Sequence, residues 1–300
     1  MALREEYRVR ISPSAHVERG HAYRCIVAPE MKEGEFFLMY QPKLDLRTGR
    51  VFGVEALLRW RHPLHGVLEP DEFIPLAEKA GVIAQLDGWA IEESCRQASL
   101  WHRCGEFSGS VAVNVSALDL PQAHLVDSVR DALERHGVDP ARLILEITES
   151  HALTDMDLTL KALGSLGGMG VRVSLDDFGT GHSSLARLRD LPVSEIKLDK
   201  CFIRNIARCD RDVAIVTAIV GIANALGASV VGEGVETARQ FAVLSRLGCH
   251  AVQGYLIGRP MPPGELIRSV IELDRIVDRY DWRATREQDL CFFLFGDGDT

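Results

Sequence analysis

The chain has 300 residues, 46% hydrophobic and 26% charged, which is enough apolar content to bury a core and too much for a disordered chain. Its formal net charge of −9 argues against a general affinity for nucleic-acid duplex or for an anionic membrane surface, so a phosphate-bearing partner must be attracted by something other than bulk charge. The seven cysteines (Cys25, Cys95, Cys104, Cys201, Cys209, Cys249 and Cys291) are an odd number without a C-x-x-C pair, which points to reduced thiols in the cytoplasm rather than disulfides or zinc.

In chain order, residues 1–30 read as a leader or linker remnant, and "MALREEYRVR" lacks the apolar run of a signal peptide. Two strands follow, "FFLMYQPKLDL" and "VFGVEALLRW", separated only by "RTGR". So short a turn permits antiparallel pairing, because a parallel crossover needs about a dozen residues or more. Further strands, "VAVNVS", "RLILEIT", "VRVSLDD", "EIKLDK", "SVVGEGV" and "HAVQGYL", then alternate with helical segments such as "AHLVDSVRDALERHG". Their short apolar character suits burial on both faces, as in a parallel sheet. The long apolar stretch Ala214–Gly232 is broken by Asn224, Gly227 and Ser229, and reads as a buried helix turning into a buried strand rather than a membrane span. Eight strands across residues 31–272 predict an α/β fold, a TIM-type (β/α)8 barrel whose first strand runs against the others; a doubly wound open sheet is the alternative. Residues 273–300 begin as a helix and end in "CFFLFGDGDT".

Buried strands are expected to be apolar, so their polar exceptions carry information. Strands two to eight hold Glu55, Asn114, Glu146, Asp176 with Asp177, Lys197, Glu233 and Gln253. Taken singly, each is an ordinary cap or hydrogen-bonded core residue. On consecutive strands of one barrel they converge on a single mouth. Five carboxylates gathered there repel one another unless protons or cations bind, and Lys197 supplies one positive charge. The all-oxygen set, with Asn114 as a neutral ligand, suits a hard divalent cation such as Mg²⁺ or Mn²⁺. Neighbouring strand residues face opposite sides, so Asp176 and Asp177 share a target only where the strand ends. Adjacent aspartates of that kind can flank a metal pair about 3.5–4 Å apart, a device for phosphodiester hydrolysis.

These residues lie in "YQPKLDLRTGRVFGVEALLRW", "VAVNVSA", "LEITES", "LDDFGTGHSSL", "IKLDK", "GEGVET" and "QGYLIGRPM". Together the segments resemble the EAL-domain cyclic-di-GMP phosphodiesterases of bacteria, with the signature at Glu55-Ala56-Leu57. The resemblance implies a modified TIM barrel and hydrolysis of one phosphodiester of cyclic-di-GMP to linear pGpG by two divalent ions, Mg²⁺ or Mn²⁺. By position, Glu55, Asn114, Glu146 and Asp176 resemble ligands of one metal, and Asp176 and Asp177 those of the second, with Glu233 close by. Lys197 corresponds to the group that orients or helps activate the water, so Lys197, Glu233 and Glu55 are the expected catalytic residues. Gln41, Leu57, Arg59, Asp199 and Gln253 correspond to substrate or supporting contacts. Glu149 and Glu236 match the glutamates that anchor the loop "FGTGHSS", which adjoins a homodimer interface in the family. His182, Cys201 and Gly232 depart from the family's usual residues without touching this set. The competing reading is a non-catalytic cyclic-di-GMP receptor or protein-interaction module, and degenerate members of that kind lose part of the ligand set.

Overall fold

The computed structural model of the protein describes residues 34–116, 118–120, 122–149, 156–180 and 185–279. The expected leader, the "CFFLF" tail and His182 lie outside the described residues. The first two strands, β1 (Phe36–Asp45) and β2 (Val51–His62), form a hairpin paired antiparallel from Phe36↔Trp60 to Leu44↔Val51. A short third strand, β3 (Gly66–Leu68), pairs antiparallel with the far end of β2. Three residues are too few to show alternation, which is why the sequence pattern does not reveal it.

Six more strands follow: β4 (Ser110–Asn114), β5 (Leu143–Thr148), β6 (Arg172–Phe178), β7 (Glu195–Leu198), β8 (Ser229–Gly232) and β9 (Ala251–Gln253). From β2 through β4 to β9 every adjacent pair is parallel. The last strand returns to β1 antiparallel, with Lys43 opposite Gln253, and this closes an eight-stranded barrel with β3 outside it. The first strand therefore opposes both of its neighbours, as the short "RTGR" turn requires.

Around the barrel lie α1 (Pro70–Ala80), α2 (Ile83–Cys104), α3 (Ala123–His136), α4 (Met156–Met169), the short α5 (Leu185–Leu188) and α6 (Lys200–Ile203), α7 (Asp210–Leu226), α8 (Ala238–Arg246) and α9 (Pro263–Arg279). The stretch Ala214–Gly232 is divided between α7 and β8, and no described helix is long and apolar enough to cross a membrane. Helix α9 runs without a break through residue 272. The main core lies between strands and helices and includes Leu44, Val54, Ile91, Leu125, Leu166 and Ile196. Trp60, Phe73 and Leu86 belong to a second cluster under α1.

The inside of the barrel is different. Lys43, Glu55, Glu146, Ser174, Glu195, Lys197 and Gln253 are all buried. The usual filling of such a barrel is Val, Ile and Leu, and burying charges instead is costly unless each finds a partner. Those partners form the site.

Candidate metal centre

Strand alternation places the site in two layers. On β7 Glu195 and Lys197 share a face, on β6 Ser174 and Asp176 do, and on β1 Gln41 and Lys43 do. Lys197 lies at the centre of the upper layer, with Nζ 2.7 Å from Glu146 Oε2, 2.8 Å from Glu233 Oε1, 3.2 Å from Asp176 Oδ1 and 3.4 Å from Glu55 Oε2. Glu55 is held from both sides, by Asn114 Nδ2 at 2.7 Å and by Gln253 Nε2 at 2.7 Å. With its amide nitrogen on Glu55, Asn114 keeps its carbonyl oxygen as an acceptor. Gln253 also donates to Gln41 Oε1, and Gln41 donates to the Gly258 carbonyl. The Gln253 Oε1 atom is buried without a hydrogen-bond partner.

Glu233 stands one residue beyond β8, and its loop is sewn to β9. The Val235 N–H donates to the Gln253 carbonyl, and the Leu256 N–H donates to the Val235 carbonyl. A Cβ on Gly254 would lie 2.2 Å from both the N and O of Val235, so only glycine lets the two segments approach this closely.

The adjacent aspartates meet through a fault in the sheet. Pairing between β6 and β7 loses register between Leu175 and Phe178, and Asp177 takes φ +54°, the one positive φ at a non-glycine among the described residues. The expected strand end is therefore replaced by an irregularity within the strand, which re-aims side chains as a bulge does. As a result Asp176, Asp177 and Glu233 each present an oxygen within 4.8 Å of the others. The left-handed backbone costs an L-residue on the order of 1–2 kcal/mol. It is held by Asp177 N–H on Asp176 Oδ1, by Thr180 Oγ1 on the Asp177 carbonyl, and by Gly179 N–H on Glu149 Oε2 at 2.6 Å.

The electrostatics show a shortage of positive charge. Burial alone would raise Glu55, but Lys197, Lys43 and the two amide donors outweigh it and hold the carboxyl at about 2. Burial and the Glu55 charge push Glu146 up to about 8 despite both lysines. Burial likewise carries Glu233 up to about 7 against the pull of Lys197. Asp177 is raised by burial and by the charge of Asp176. Lys197, which burial would lower, is driven well above its ordinary range by Asp176, Glu146, Glu233 and Glu55. The unmet charge and the oxygen-only donor set fit a hard divalent cation, so the residues present suit such an ion.

A family profile described as EAL domain matches residues 25–260. The chain belongs to the EAL domain family. MucR of Pseudomonas aeruginosa, named a bifunctional diguanylate cyclase/cyclic di-GMP phosphodiesterase, is 50% identical over 240 residues, which are 80% of this chain and 35% of MucR. NbdA of the same organism, named a cyclic di-GMP phosphodiesterase, is 47% identical over 232 residues, which are 77% of this chain and 30% of NbdA. The chain thus spans about a third of the length of these relatives. A solved structure described as PaMucR phosphodiesterase, c-di-GMP complex, superposes with a TM-score of 0.74 at 47% identity, covering 84% of this chain and 98% of that one.

This EAL domain brings Glu55, Asn114, Glu146, Asp176, Asp177, Lys197, Glu233, Gln41 and Gln253 to one mouth. Three other expected residues have contacts outside this set. Arg59 donates to the Leu58 carbonyl and lies 3.9 Å from Glu69, Asp199 caps α6 by accepting from the Cys201 N–H, and Leu57 pairs across the hairpin with Met39. Of the loop anchors, Glu149 is buried against the loop, whereas Glu236 is exposed with its N–H on Gln240 Oε1.

Two residues escaped the sequence reading. Lys43 is a second buried ammonium, 2.6 Å from Glu146 Oε1 and 2.8 Å from Glu195 Oε1, so Lys197 does not neutralise the barrel alone. Glu195 adds a sixth carboxylate, held below its ordinary range chiefly by Lys43 against the effect of burial. The available signal was period two, counted from Gln41 to Lys43 and from Lys197 back to Glu195.

Asp87 on α2 fixes the chain just after Asn114. Its Oδ2 accepts from the Ser116 N–H at 2.9 Å, while the Ser116 hydroxyl donates to Glu78. Burial, with Asp119 and Glu78 nearby, pushes Asp87 up to about 8 despite the Ser116 donor. The folded state therefore keeps a proton that the unfolded chain releases near pH 4, and stability falls as pH rises from about 4 to about 8, by at most about 1.4 kcal/mol per unit. Asp87→Asn keeps an acceptor for Ser116 and carries no charge. Its melting temperature should exceed that of the wild type most at pH 8–9 and converge with it towards pH 4. A pH-independent difference in thermal melts would show that Asp87 is ionised in the fold.

Proposed function

We propose that this EAL domain hydrolyses one phosphodiester bond of cyclic-di-GMP to linear pGpG, using two divalent ions, Mg²⁺ or Mn²⁺. The observation that carries the reading is the convergence of Glu55, Glu146, Asp176, Asp177 and Glu233 with Asn114 around Lys197 at one barrel mouth. Relatives at 47% and 50% identity are named for cyclic di-GMP phosphodiesterase activity, which supports the same substrate.

When bound, the metal pair would supply Lewis-acid activation of the phosphoryl group and a nucleophile competent at neutral pH. Glu55, Asn114, Glu146 and Asp176 would hold one ion, and Asp176, Asp177 and Glu233 the other. Lys197, tethered among these carboxylates, would orient the attacking water by hydrogen bonding and stabilise negative charge as it develops. The water's oxygen joins phosphorus as the ester bond to the leaving sugar oxygen breaks, and a proton passes to that oxygen. Gln41 and Gln253 would support Glu55 from beside it, Gln253 donating to both Glu55 and Gln41. Leu57, Arg59 and Asp199 would add substrate contacts, Arg59 and Asp199 by sharing or leaving their present partners. The hydrolytic unit would extend from about residue 31 past the expected boundary at 272 to the end of α9, whose Asp274 pairs with Arg50 beside β2, and would work in the cytoplasm as a homodimer.

The test is incubation of the purified chain with cyclic-di-GMP and chromatography of the products. Mg²⁺ or Mn²⁺ should give pGpG by a single cut, and excess EDTA should abolish turnover. Ca²⁺ should support it poorly, because its longer and looser coordination does not hold reactants in line. Undiminished turnover in EDTA would exclude the metal mechanism, and binding without hydrolysis in either metal would favour the receptor reading.

A further inference from the structure

We propose that Lys43, with Glu195 as its counter-anion, is a positioning residue that aims Glu146 at the metal centre; the inference rests on the two-metal reading above. Lys43 is fully buried two residues along β1 from Gln41, and its ammonium is taken up by Glu146 and Glu195. Its ammonium takes Glu146 by Oε1 at 2.6 Å, while Lys197 takes the same carboxylate by Oε2 at 2.7 Å. Glu146 on β5 is thus gripped at both oxygens by cations from two other strands, β1 and β7, and its plane cannot turn without breaking one grip. Glu195 touches none of the mouth carboxylates in this network. It accepts from Lys43 at 2.8 Å and from the Ser174 hydroxyl at 3.0 Å, so its part is to fix the ammonium.

An apolar trio at these positions would fill the barrel at lower desolvation cost, so the ion pair is poorly accounted for as a device for stability alone. Groups that orient a metal ligand behave differently. Removing them typically weakens metal binding or activity about 10–100-fold while the fold persists.

The experiment compares Lys43→Met, Lys43→Met/Glu195→Gln and wild type by thermal melting without metal, calorimetric Mn²⁺ titration, and kcat and KM at saturating Mg²⁺. Lys43→Met alone leaves Glu195 buried and uncompensated, so it should melt earlier. The double variant removes both charges and should recover most of the melting temperature. Its Mn²⁺ affinity should nevertheless stay about 10–100-fold weaker, and kcat should fall with KM little changed. A double variant with wild-type melting, Mn²⁺ affinity and kcat overturns the proposal and leaves Lys43 as charge balance only. If neither variant folds, Glu195→Leu, which takes the acceptor away from Lys43, carries the test, and unaltered Mn²⁺ binding there also overturns it. A wild type that binds no Mn²⁺ overturns the two-metal reading and this proposal together, whereas Mn²⁺ bound equally by all variants overturns this proposal alone.

Discussion

Lys197→Ala should lower kcat by about 10²–10⁴-fold at saturating Mg²⁺, the scale of a positioned proton-transfer group, while substrate affinity changes far less. The amino group lies within 3.4 Å of four carboxylates, so no single lost contact accounts for its role. Without it those acids face one another in the barrel, and the metal-free variant should be less stable, by the roughly 3–5 kcal/mol typical of a broken buried ion pair. Saturating metal should restore part of that stability, because dications replace the missing charge. Kinetics are therefore read with metal in excess. Glu55→Ala should have the larger effect and nearly eliminate hydrolysis, because it removes a proposed metal ligand and also releases Asn114 and Gln253. A Lys197→Ala enzyme with near-normal kcat would show that this lysine only balances charge.

Glu149→Ala should depress kcat by about 10²-fold and weaken metal binding without unfolding the barrel, on the scale expected for ligands displaced by about 1 Å. Glu149 is buried, and its Oε2 accepts from the Gly179 N–H directly after the Asp176–Asp177 irregularity. Without that acceptor the left-handed Asp177 loses one of the contacts that offset its strain. Glu149→Gln keeps a carbonyl oxygen for Gly179 and should retain more activity than the alanine variant. If the loop adjoins a homodimer interface, sedimentation of Glu149→Ala should show altered self-association. Wild-type kcat, metal affinity and sedimentation would mark Glu149 as a residue of the fold only.

The barrel and its reversed first strand were legible because "RTGR" leaves only one way for two adjacent strands to pair. The mouth was legible because a polar residue that interrupts or ends one apolar strand, and recurs on every following strand, is too regular for helix capping or isolated core hydrogen bonds. The lower layer was not. Glu195 is the first residue of β7 and Lys43 lies near the end of the reversed β1, and a charged residue so placed reads as exposed until its partner is known. Each is concealed by the other, since a lone buried lysine is improbable and their pairing joins β1 to β7, 152 residues apart. The break at Asp177 was hidden for a related reason, because it depends on the register with β7 rather than on β6 itself. Arg59 was assigned by motif alone, and its guanidinium donates to the Leu58 carbonyl and is approached by Glu69.

The central claim is that this carboxylate cluster is a two-metal centre, and anomalous diffraction from crystals grown with Mn²⁺ tests it most directly. Data collected at the manganese edge should show two peaks about 3.5–4 Å apart, flanking Asp176. One should lie towards Glu55, Asn114 and Glu146, the other towards Asp177 and Glu233. A single peak, or manganese bound away from Asp176, would contradict the account.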